Sequence, residues 1–120
     1  MHGFGIYEFA SGEKYEGMWE NGKRNGKGIN NFANGNVYDG DWKNDNMHGY
    51  GVYFFKSGEK YKGNWENGMR NGQGTNYFAT GEKYTGNWVN NKRHGQGKNF
   101  YPEVTVFEGE WENDKKKKEW

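Results

Sequence analysis

Tryptophan returns every 23 residues in this chain. Trp19, Trp42, Trp65, Trp88 and Trp111 follow one another without an insertion. Four residues before each stands another ring, at Tyr15, Tyr38, Tyr61, Tyr84 and Phe107, with Gly17, Gly40, Gly63, Gly86 and Gly109 midway. Paired glycines follow each of the first four tryptophans, at Gly26/Gly28, Gly49/Gly51, Gly72/Gly74 and Gly95/Gly97, and Gly3/Gly5 fall in the same phase. A fixed period of this length marks a supersecondary unit that cannot bury its apolar side alone and stacks on copies of itself. Most folds are excluded at once.

Within the period, Tyr-x-Gly-x-Trp alternates, so its three marked residues share one face of a β-strand while Glu16, Met18 and Glu20 take the other. The Gly-x-Gly segment keeps its marks on one face too, ending at Phe9, Phe32, Phe55, Phe78 and Tyr101. Between the two segments lie Asn21-Gly22, Asn44-Asp45, Asn67-Gly68, Asn90-Asn91 and Asn113-Asp114, residues that accept the positive φ of a two-residue hairpin loop. Such a loop is expected to place Tyr15 opposite Gly28 and Gly17 opposite Gly26, so that a Cβ at Gly26 or Gly72 would strike the rings. The connection back, Ala33-Asn34-Gly35 for example, must be odd in length, which a three-residue loop with Gly12, Gly35, Gly58 or Gly81 left-handed supplies. Pro102-Glu103-Val104 has no glycine and should turn differently.

The fold expected is all-β: one elongated antiparallel sheet of about ten sequentially paired strands, near residues 3–9, 13–19, 26–32, 36–42, 49–55, 59–65, 72–78, 82–88, 95–101 and 105–111. The repeat array covers 1–113, with a half repeat at 1–12, repeats starting at Tyr15, Tyr38, Tyr61 and Tyr84, a half repeat from Phe107, and a basic tail at 114–120. Ten strands span on the order of 45 Å. Composition agrees: 31% of residues are hydrophobic but 19% are aromatic, and there is no leucine for a conventional aliphatic core. So high an aromatic content also argues against disorder.

Tyr-x-Gly-x-Trp-x-x-Gly followed by Gly-x-Gly and a distal glycine resembles the MORN (membrane occupation and recognition nexus) repeat. The resemblance covers about residues 2–113, departing from the pattern at Asp45, Asn91 and Asp114 for the turn glycine, at Val104 for the distal glycine and at Phe107 for tyrosine. It implies a non-catalytic scaffold of cytoskeletal or ciliary assemblies, in a cytoplasmic setting, and for some members attachment to membranes.

The residues themselves offer no chemistry to set against that. A net charge of +1 speaks against a protein built to hold nucleic acid, and with no cysteine there is no disulfide framework or thiolate metal site. His2, His48 and His94 share one repeat position but stand 46 residues apart, hence about 19 Å, beyond the reach of a single ion. The Gly-x-Gly pairs precede strands rather than a helix N-terminus, and Ser11 and Ser57 have no partnered histidine. No cofactor, metal or catalytic residue is expected, and residues 1–30 are too charged for a signal peptide.

Two binding surfaces suggest themselves. An aromatic face uncovered by any helix should form a concave groove for a helical or extended segment of another protein. Its candidate lining is Tyr15, Trp19, Phe32, Tyr38, Trp42, Phe55, Tyr61, Trp65, Phe78, Tyr84, Trp88 and Trp111, with interior tryptophans about 10 Å apart. Curling of the sheet, alternatively, makes these rings a core. The second surface is a basic edge just past the Asn-x turns, where Lys23, Arg24, Arg70, Lys92, Arg93, Lys115 and Lys116 could meet anionic phospholipid headgroups. Self-association, if present, should use the edge strand at residues 3–9, since Glu108, Glu110 and Glu112 guard the other end.

Overall fold

Asparagine and glycine or aspartate at each Asn-x pair adopt φ between 48° and 81°, the paired left-handed conformation of a type I′ turn, whose twist matches that of the strands it joins. The four odd connections among the described residues also behave as expected. In Phe32–Asn36 the Phe32 N–H donates to Asn36 O at 2.9 Å, the Gly35 N–H returns to Phe32 O at 3.1 Å, and Gly35 has φ 98°. Repeating the two turns folds the chain into one antiparallel sheet whose strands lie in sequence order.

The computed structural model describes residues 2–102 and 106–119. It contains β1 (Gly3–Glu8), β2 (Lys14–Glu20), β3 (Lys23–Asn31), β4 (Val37–Lys43), β5 (Asn46–Phe54), β6 (Lys60–Glu66), β7 (Met69–Tyr77), β8 (Lys83–Val89), β9 (Lys92–Phe100), β10 (Val106–Glu112) and β11 (Lys115–Glu119). The described residues include no helix. The molecule measures 50 × 23 × 17 Å. The eleventh strand is a correction: the segment read as a basic tail pairs with β10, so residues 105–111 are not the end strand and the far edge carries lysines. Of the turn expected at Pro102-Glu103-Val104, residues 103 and 104 lie outside the described residues.

The expected register is corrected as well. Gly17 faces Gly28, Tyr15 faces Asn30 and Trp19 faces Arg24, with a bulge between Gly17 and Trp19 that recurs at Gly40/Trp42, Gly63/Trp65 and Gly86/Trp88. Two extra residues on the glycine strand make that bulge, and Gly26, Gly49, Gly72 and Gly95 supply the positive φ, 74–99°, that it needs. A Cβ at Gly26 would meet Met18 on the opposite face, not a ring. The glycine beneath the ring is the second of each pair, because a Cβ at Gly28, Gly51, Gly74 or Gly97 would fall on the hydroxyl of Tyr15, Tyr38, Tyr61 or Tyr84.

Those tyrosines are fully buried, and no tryptophan of Trp19, Trp42, Trp65, Trp88 and Trp111 is more than 8% exposed. The rings form a herringbone. From Tyr15 through Trp42, Tyr38, Trp65, Tyr61, Trp88, Tyr84 and Trp111 to Phe107, successive centroids are 5.1–5.5 Å apart at 82–89°. Edge-to-face contact is the favoured arrangement for such rings. Most buried polar tips find backbone partners, the Trp111 indole N–H being an exception: Tyr15 Oη donates to Met18 O at 2.9 Å and Trp42 Nε1 to Gly28 O at 3.1 Å. Trp19, Trp65 and Trp88 repeat the indole bond, to Gly5, Gly51 and Gly74. One sheet thus folds its own core onto its glycines.

Candidate functional site

Of the twelve residues expected to line a groove, nine are interior: Tyr15, Trp19, Tyr38, Trp42, Tyr61, Trp65, Tyr84, Trp88 and Trp111. Phe32, Phe55 and Phe78 are half-buried beside them. The deep rings are therefore core, and what the aromatic face offers a partner is the layer above them.

That layer is shared between apolar side chains and arginines. Residues 23 and 24 lie next to each other on a strand, so they point to opposite faces. Lys23, Lys92 and Lys115 pair with Glu20, Val89 and Glu112 and are exposed on the outer face, whereas Arg24, Arg70 and Arg93 pair with Trp19, Trp65 and Trp88 on the aromatic face. The guanidinium carbons sit 4.6, 4.5 and 4.3 Å from the ring centroids of Trp42, Trp88 and Trp111. Lys116, also on the aromatic face, stands 4.8 Å from both Tyr101 and Phe107. The basic edge imagined from the sequence is split between two faces.

Each arginine is held by a fixed set of partners. Arg24 donates through Nη1 to Asn30 Oδ1 at 3.0 Å and Glu13 Oε2 at 3.2 Å, and through Nε to Asp45 Oδ1 at 3.1 Å. Buried Asn30 donates to Glu13 at 2.7 Å. Arg70 repeats this with Asn76 and Asn91, while Asn76 donates to Glu59. Arg93 repeats it with Asn99 and Asp114, while Asn99 donates to Glu82. Burial pushes the Arg70 guanidinium below its ordinary range, partly offset by the Glu59 carboxylate. The turn residues that depart from glycine, Asp45, Asn91 and Asp114, are the ones that reach back to an arginine.

The pattern is broken over Trp65. Around Trp65 the arginine is Met47, the buried asparagine is Tyr53, the glutamate is Asn36 and the turn residue is Gly68. Asn36 Nδ2 donates to Tyr53 Oη at 3.2 Å, and the Tyr53 ring lies 5.7 Å from both Phe32 and Trp65. A pocket of about 200 Å³ remains there, lined mainly by Met47, Tyr53, Phe55, Trp65, Gly68 and Arg70. Sequence reasoning missed this exchange. The signal was available: where the residue two before the paired glycines is methionine in place of arginine, the residue six further on is tyrosine in place of asparagine, as at Met1/Tyr7 and Met47/Tyr53.

The outer face is polar and partly apolar. Phe4 and Ile6 are 64% and 54% exposed beside the free edge of β1, near exposed Met18 and Ile29. Lys60 and Lys83 stand over Tyr77 at 5.0 and 5.9 Å. His48 and His94 lie on separate hairpins, and among the described residues no group of three histidines or carboxylates could hold a metal ion.

Sequentially paired hairpins over an interior of rings define a β-repeat array, a class whose members build binding surfaces from copies of one unit. The profile of the MORN repeat matches residues 1–14, 15–37, 38–60, 61–83, 84–99 and 107–117, and the chain belongs to the MORN repeat family. No curated protein matches it significantly.

Proposed function

We propose that the chain is a non-catalytic scaffold that binds another protein, taking a helical or extended segment along its aromatic face. The observation that carries this reading is the half-buried apolar layer over the core, Phe32, Met47, Tyr53 and Phe78. Apolar surface held rigidly by a buried herringbone is the kind of surface on which interfaces concentrate their energy. A place in a cytoskeletal or ciliary assembly rests on the family alone.

Affinity capture from a cytoskeletal extract, with the wild type and a Phe32→Ala/Phe55→Ala/Phe78→Ala variant as baits, tests the reading. A specific partner should survive high salt and be lost with the variant. Binding to anionic phospholipid vesicles that collapses in salt and on replacing Lys23, Lys92, Lys115 and Lys116 would favour a membrane adaptor instead. Against that alternative, four of its seven basic groups lie on the aromatic face, where Arg24, Arg70, Arg93 and Lys116 stand over rings.

A further inference from the structure

The geometry points to the Met47–Tyr53–Trp65 socket as the anchor point of the aromatic face, receiving one bulky apolar side chain of a protein segment that carries lysine or arginine beside it. This rests on the reading of the aromatic face as the binding surface, and adds where on that face the partner is gripped and by what chemistry.

Size argues for a side chain. At about 200 Å³ the socket is smaller than the roughly 300–1,000 Å³ of pockets that enclose small-molecule ligands. Its walls are a thioether, a glycine and rings, with Arg70 and Asn91 on one side already hydrogen-bonded to each other, so the surface left for a partner is mainly apolar. Of the four corresponding places, those over Trp42, Trp88 and Trp111 are each closed by a guanidinium, while Trp19 has the Tyr7 ring 6.1 Å away. Arg70, on the socket wall, spends its N–H groups on Asn76 and Asn91.

Charge argues for basic neighbours. In the Arg24 clamp on one side of the socket, and in the Arg93 clamp two units along on the other, the arginine is sunk on a ring and the aspartate stands outside it: Arg24 is 17% exposed against 45% for Asp45, and Arg93 18% against 45% for Asp114, while the adjoining Arg70 clamp carries the neutral Asn91 at that place. Glu13 and Glu82 are partly open as well, at 24% and 27%. A partner arriving over the face meets carboxylates more than guanidiniums, with Lys116 a cation beyond them at the far end. The Asp45 turn is one hairpin away from the Gly68 turn, roughly 10 Å. A basic residue about seven positions from the anchor in a helix, or three in an extended segment, reaches it.

The test uses random peptides displayed on phage, selected on the full chain and retitrated as synthetic peptides. Two variants accompany it. The first, Asn36→Glu/Met47→Arg/Tyr53→Asn/Gly68→Asp, closes the socket with the residues other repeats already use. The second, Glu59→Asn/Arg70→Met/Asn76→Tyr/Asn91→Gly, opens another over Trp88. Selected peptides should share one bulky apolar residue with nearby lysine or arginine, bind the closed variant at least about tenfold more weakly, and occupy two sites on the opened one. If the closed variant does not fold, the stoichiometry of the opened one decides. Peptides indifferent to both variants but lost with Phe32→Ala/Phe78→Ala would overturn the socket and keep the aromatic face as the binding surface. Peptides with acidic flanks would overturn the charge assignment, and failure to select any that compete for the aromatic face would overturn socket and surface together.

Discussion

The stretch of aromatic face over Trp42 and the stretch over Trp65 share a backbone, a buried tyrosine, a herringbone and a glycine floor, yet one is capped by ions and the other by apolar groups. Over Trp42 the cap is Arg24 with Glu13, Asn30 and Asp45; over Trp65 it is Met47 with Asn36, Tyr53 and Gly68. All four positions change together. The reason is that the arginine cap is a closed set of hydrogen bonds, and removing any member strands the others in a half-buried site. An intermediate cap, with arginine but no asparagine, would leave donors unpaired. The repeat therefore has two stable ways to roof a tryptophan, and the choice fixes whether that unit is sealed or receptive.

The largest effect that can test this comparison is the loss of the whole fold in alkali. Burial raises the phenol of Tyr15 to about 12, and Arg24 pulls it back; Tyr84 also rises to about 12, with Arg93 pulling back. Tyr61 is raised likewise and relieved by Arg70, but Tyr38 lies under Met47, and after burial its next influence is Asp41, which raises it further. Because the folded state holds these phenols neutral, their contribution is intact below the ordinary pKa of 10.0 and drains away as pH climbs through 10 to 12 and beyond. Circular dichroism should show cooperative unfolding in that window, and ring NMR signals should show Tyr38 ionising only with unfolding. Titration of Tyr38 before Tyr15, in a folded protein, would show that the arginine caps do not distinguish the two regions.

Next in size is the floor that both regions share. Gly51→Val and Gly74→Val put a side chain onto the hydroxyls of Tyr38 and Tyr61, and each should cost at least about 3 kcal/mol in urea unfolding. Glu66→Val, exposed at the end of β6 on the outer face, should change the midpoint by less than about 0.5 kcal/mol. A marked difference between the two glycine variants would mean that the caps reach down to the floor and that the units are not built on a common base.

The strands, both turn types and the assignment of the rings to one face were legible in the sequence, because each follows from a period of two or from residues that accept positive φ. The bulge was not. Two extra residues opposite Met18 leave the alternation unchanged, so no parity argument reveals them, and the glycines Gly26 and Gly72 were given a task that belongs to Gly28 and Gly74. The arginines were misplaced for a different reason: Lys23-Arg24 and Lys92-Arg93 read as charge runs, although neighbours on a strand face opposite ways. In β11 the run of lysines looked like a tail, yet an Asn-Asp turn precedes it as in the other hairpins.

A middle-sized effect isolates the cap itself. Arg70→Met alone should cost about 3 kcal/mol, since Asn76 and Glu59 lose their cationic partner in a largely buried site. Adding Asn76→Tyr, Glu59→Asn and Asn91→Gly should restore most of it, because that set roofs Trp65 in the same molecule. A double-mutant cycle between the arginine and asparagine positions measures the coupling directly. Additive costs would break the idea that the four positions act as one unit.

The smallest effect falls on the outermost member of the cap. Asp45 accepts from the Arg24 backbone N–H at 2.7 Å and from its Nε at 3.1 Å, and Asn91 accepts the same two bonds from Arg70 at 2.8 and 3.3 Å. An amide oxygen thus serves the clamp as well as a carboxylate does, and an ion pair this exposed adds little in water. Asp45→Asn should shift stability by no more than about 0.5 kcal/mol in thermal unfolding. Asp45→Gly removes the acceptor itself and should cost about 1 kcal/mol. If Asp45→Asn proves the worse of the two, the negative charge is holding the cap together and is not free to face a partner. If it proves silent, the charge at Asp45 is surplus to the fold, and the reason for an aspartate beside the open socket has to be sought in what binds there.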